Sequence, residues 1–191
     1  MAPLIVVCAL VLFAVLSFAI DQSIAYGAKA RQENVLDTAR SACMDASFAL
    51  VAKNSEDPGG AFSQLVAKTI RSEGFSGRAT VWFYEAPTAY LPSSERLWAI
   101  GVQLEQRAPT VFARGFGIES LPVASHRVLV AVPYASESVW RPETVSSGRY
   151  EIAEGADQER VAFYPIESLE GFPDEVAAEV RASLPEGVQL T

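Results

Sequence analysis

Charge is missing from the first twenty residues. The run MAPLIVVCALVLFAVLSFAI holds no charged side chain and no glycine. As a helix, residues 2–20 would be about 28 Å long at 1.5 Å per residue. That is close to the thickness of a bilayer's hydrocarbon core. So apolar an end does not suit a soluble domain, and the chain is expected to be tethered to a membrane or exported through one.

Histidine and cysteine are scarce as well. His126 is the only histidine, and Cys8 and Cys43 are the only cysteines. These numbers leave too few His and Cys ligands for a zinc cluster. On one helix the two cysteines would stand about 50 Å apart, beyond the reach of a disulfide. Cys43 falls on an apolar stripe and reads as a small buried residue. Ser125 and His126 are neighbours on a predicted strand, so they point to opposite sides. Nothing marks a nucleophile elbow. Gly115-Phe116-Gly117 lacks the rest of a phosphate loop, and Asp157 with Glu159 lacks the spacing of a calcium loop. No catalytic, cofactor-binding or metal residue is assigned, no cofactor is expected, and the chain is not read as an enzyme. Trp82 and Trp98 are expected in the core and Trp140 on a linker or contact surface.

Residues 1–20 are expected to remain as an anchor. A secretory signal has a positive start and a shorter apolar core; here the start is only Met1-Ala2-Pro3. Ser17-Phe18-Ala19 offers a cleavage site for the competing, secreted reading. Val7 before Cys8 argues against a lipoprotein. Lys29 and Arg31 are offset by Asp21 and Glu33, so charge encodes orientation poorly.

Beyond the run, residues 21–52 lack proline. Val35, Ala39, Ala42, Ala46 and Ala49 recur at helical spacing, with Leu36, Cys43 and Leu50 beside them. This predicts one helix from the membrane into a head, on the order of 75 Å over fifty residues. The alternative is a joint near Gly27 and a separate domain helix. After the break at 54–60, Phe62, Leu65, Val66, Thr69 and Ile70 predict a second helix that stops at Gly74.

The period then changes to two. Residues 79–85, 97–105 and 126–132 read as strands, with Trp98, Ile100, Val102 and Leu104 on one face and Val128, Val130 and Val132 on another. The first two are expected to form an antiparallel hairpin. Residues 109–118 form a turn whose Val111, Phe112, Phe116 and Ile118 fold onto the sheet or the membrane surface. Residues 134–149 read as a linker. In a C-terminal unit, 149–152 and 160–166 are expected to pair, and 174–184 to form a helix. Residues 150–191 hold ten acids against Arg160 and Arg181, a net −8, which equals the net charge of the whole chain. Such acidity is repelled by nucleic acid.

The fold class expected is therefore α+β: a transmembrane anchor (1–20), a helix-and-antiparallel-sheet head (21–133), a linker (134–149) and an acidic C-terminal unit (150–191). With YGAKARQENVLDTARSACMDASFALV on the helix and RAPTVFARGFGIESLPVASHRVLVAVP beyond it, the chain resembles TadE/TadG-like pseudopilins of tight-adherence (Flp-type) pilus systems. Pro109, Thr110, Phe112, Phe116, Gly117 and Ile118 match that family's strand-to-strand turn. The resemblance covers roughly 1–133. The chain lacks the leader glycine and the glutamate of processed type IV pilins, so members that stay as membrane anchors are the nearer fit. The resemblance implies a single-pass, extracytoplasmic pilus-assembly component or minor pseudopilin. Its partners would be the membrane and other pilus-assembly proteins, with oligomers formed through the N-terminal helix. The other class kept open is a tethered or secreted ligand-binding domain or enzyme.

Overall fold

A computed structural model describes residues 2–45, 47–48, 52, 55–85, 98–131 and 147–184. Helix α1, Ala2–Cys43, runs unbroken through Gly27 for 42 residues. Its length is about 63 Å at 1.5 Å per residue. Among the described residues it is the one helix long and apolar enough to cross a membrane. The joint considered at Gly27 is absent.

The expected helix to residue 52 ends earlier. Asp45 is the cause: its Oδ1 accepts the backbone N–H groups of Ser47 and Phe48, at 3.0 and 3.1 Å. An aspartate bonding two and three residues ahead starts a new helical segment rather than continuing the old one. Ala46, Ala49 and Leu50, placed on the stripe by the sequence, lie outside the described residues.

Helix α2, Pro58–Ser72, starts at the Asp57 cap, whose side chain accepts from Gly60 N–H, and has proline in its first turn. It closes on Gly74: Gly74 N–H bonds Arg71 C=O and Phe75 N–H bonds Ile70 C=O, both at 2.9 Å. This pair is a Schellman stop.

Among the described residues five strands follow: β1 Arg78–Glu85, β2 Trp98–Pro109, β3 Ser120–Ala131, β4 Gly148–Ile152 and β5 Val161–Pro165. They form one sheet in the order β3-β2-β1-β4-β5, and every neighbouring pair is antiparallel. Trp82 stands opposite Gly101 on β2 and Arg149 on β4. Both β2 and β3 run further toward the connecting turn than the alternating pattern extends. The segment expected as an acidic C-terminal unit contributes β4 and β5 to this same sheet. Gly148, read as linker, already lies in β4, while Arg149 pairs there as the expected strand 149–152 has it; residues 134–146 are outside the description.

Side chains alternate along the strands and so build two cores. On one face, Val81, Phe83, Trp98, Ile100 and Leu104 pack beneath Leu36 of α1 and Phe62, Val66 and Ile70 of α2. On the other, Trp82, Tyr84 and Val128 pack beneath helix α3, Asp174–Ser183, through Val176, Ala177 and Val180. The architecture is three layers, helices on both faces of an antiparallel sheet. Gly101 sets the spacing under α3: a Cβ there would meet Val176 Cγ1 at 2.6 Å. Trp82 and Trp98 are both core residues, on opposite faces; Trp140 is outside the description.

Two buried amides tie layers together. Gln32 of α1 donates through Nε2 to Val123 C=O of β3 at 3.1 Å. Gln158 donates to Phe75 and Gly77 carbonyls at 2.9 and 3.2 Å.

Candidate functional site

The chemistry concentrates where α1 leaves its apolar half. Phe13, Ser17 and Asp21 recur every four residues and share one face of the helix. That face meets the turn that joins β2 to β3. Asp21, the first charged residue of the chain, is only 3% exposed. Its Oδ1 accepts Val111 N–H at 2.7 Å and Phe112 N–H at 3.2 Å, and its Oδ2 accepts Ala113 N–H at 2.6 Å. Loss of water raises the carboxyl's pKa; the bonds from Val111, Ala113 and Phe112 lower it, and the net is below the ordinary carboxylate value. One turn lower Ser17 is buried, and one turn below that the ring of Phe13 meets Phe112 edge-on, with centroids 6.0 Å apart.

The turn is built to hold this contact. Thr110 N–H bonds Glu119 C=O at 3.0 Å, and Thr110 Oγ1 donates to Ile118 C=O. A 3-10 turn, Ala113–Phe116, ends at Gly117, whose φ of 83° is the left-handed region. The apolar side chains do not fold back onto the sheet. Phe116 is 85% exposed and Val111 60%, and Ile118 is also exposed.

Above the turn, a cleft of about 620 Å³ opens between α1, the end of α2 and β2. Gly27, Ala28, Arg31, Glu73, Gln106 and Arg107 line it. Its charge is mixed, and no carboxylates converge there.

The residues weighed for chemistry are dispersed. His126 Nε2 lies 3.2 Å from Glu179 Oε2 on α3, while Ser125 is buried on the opposite face. The two make no dyad. Arg127 pairs with Asp37 of α1 at 2.7 Å. Glu159 pairs with Arg71 of α2 at 2.7 Å, so it bridges layers rather than joining Asp157 at an ion. Among the described residues no three His, Cys, Asp or Glu side chains converge on one point. Cys8 is exposed on α1, Cys43 is buried, and both are free thiols. Burial pushes the Cys43 thiol up to about 12.

The Asp21 contact is the feature that the sequence reading missed. Its signal was there: a lone acid ending a charge-free run, in register with Phe13 and Ser17. No family model, no curated protein and no solved structure matches the chain.

Proposed function

We propose that the protein is a single-pass membrane component that works through protein–protein contacts, in the manner of a TadE/TadG-like pseudopilin or pilus-assembly subunit. Its head lies outside the cytoplasm. The observation that carries this reading is the division of α1. The same unbroken helix is apolar through its first half, exposed there except at Ser17 and Asp21, and is buried against the head through Val35, Leu36, Ala39 and Cys43 in its second. A helix of that kind couples a head rigidly to a bilayer and leaves the apolar half free to meet lipid or other spans. Gln32, Arg71, Arg127 and His126 each tie one element of the head to another, which suits a scaffold.

The test is deletion of the gene in its source organism. Surface fibres and attachment should be lost, and both wild-type protein and His126→Ala should restore them. Unchanged fibres after deletion would refute the assembly role. Turnover of a substrate by the purified head would refute the non-catalytic one.

A further inference from the structure

We propose that the β2–β3 turn, residues 110–118, is a second membrane element, inserted into the phospholipid interface beside α1 and clamped there by Asp21. This rests on the membrane-tether part of the reading above and on nothing about pilus assembly.

The level of the turn is the first argument. Phe112 touches Phe13, eight residues inside Asp21 and so about 12 Å deeper along the helix. On the sides that the turn does not cover, Leu16, Phe18 and Ile20 are exposed. A bilayer that covers these three side chains also covers the turn, because both stand at the same height. The headgroup layer is about 5–7 Å thick on each side, so the Phe112 ring reaches the hydrocarbon.

The chemistry of the turn is the second. Its outward side chains are Val111, Phe116 and Ile118, which water would leave uncovered. Its single charge is Arg114, whose long stem lets the guanidinium rise to lipid phosphates.

The backbone is the third. Lipid cannot satisfy N–H groups, so a loop that enters it must satisfy its own. Asp21 takes those of Val111, Phe112 and Ala113. Gly115, Gly117 and Ile118 donate to Phe112, Arg114 and Ala113 carbonyls, each at 3.1 Å. Two contacts to the membrane, helix and turn, then fix the tilt of the head as one contact could not.

The experiment uses the full chain reconstituted into phosphatidylcholine vesicles. Phe116→Trp adds a fluorophore at an exposed position, and wild type supplies the background. Brominated phosphatidylcholine should remove most of the added emission, and aqueous iodide should remove little. Glu170→Trp, exposed on the α3 side of the sheet, should respond the other way round. If iodide quenches Phe116→Trp, the turn lies in water and the proposal is overturned. If neither quencher reaches it, a second copy of the chain covers the turn, and the proposal is overturned equally. Flotation separates the two readings. A chain that does not rise with vesicles refutes the tether itself, whereas a floating chain quenched by iodide refutes only the insertion of the turn.

Discussion

Asp21 and Ala113 lie 92 positions apart in the chain and 2.6 Å apart in the fold. Through this contact a side chain in the middle of a helix caps a turn that belongs to the sheet. The helix cannot rotate about its axis against the head without breaking it, so orientation set in one half of α1 is passed to the other.

Asp21→Asn should loosen the turn while leaving the sheet intact. Asparagine keeps one acceptor oxygen where the carboxylate has two, and it loses the charge that strengthens these bonds. Hydrogen exchange at Val111, Phe112 and Ala113 should quicken, with β1 and β2 unchanged.

Ala39→Leu should overpack the contact between α1 and the head, because Ala39 is 1% exposed. The cost should be about 1–3 kcal/mol in denaturant unfolding of the full chain in micelles. Arg40→Ala, next to it but exposed, should be close to neutral. Ala42 is only half-buried, so Ala42→Leu should fall between them.

Gly101→Ala should separate the layers. The added methyl would meet Val176 at 2.6 Å, so α3 must lift or shift. A loss of about 1–3 kcal/mol is expected. It should come with a change in Trp82 emission, since Trp82 packs against Phe172 beneath α3.

Cys43 should be unreactive in the folded protein. Its thiol is buried and its pKa is pushed up to about 12, so almost no thiolate exists at neutral pH. In a Cys8→Ser background, maleimide should label Cys43 only after denaturant unfolds the head, as mass spectrometry would read.

Local pattern carried most of the elements. Alternation in Trp98, Ile100, Val102 and Leu104 gave the strand and its face, and Asp174 to Ser183 formed the helix that its apolar spacing predicts. The antiparallel hairpin of β1 and β2 and the pairing of β4 with β5 were legible in the same way. What pattern could not supply was pairing at long range. Nothing local in Tyr150 says that it stands opposite Val81, so the C-terminal strands read as an appendage although they extend the sheet. The end of α1 was obscured by continuing helix formers, while the cap at Asp45 decides it. In the candidate site, Val111, Phe116 and Ile118 were legible as an apolar turn. Asp21 was marked by its lone charge and its register with Phe13 and Ser17, but what it holds was not legible, because its partners are backbone groups and leave no side-chain signature.

The most direct test of the account is carbonate extraction of membranes from cells that make the protein, with protease added outside the cytoplasm and the mass of the extracted chain measured. The account predicts that the chain stays in the membrane fraction with residues 1–20 still attached and that external protease removes the head. Recovery of a soluble chain that begins at Ile20, or a head that protease reaches only after the cytoplasm is opened, would contradict it.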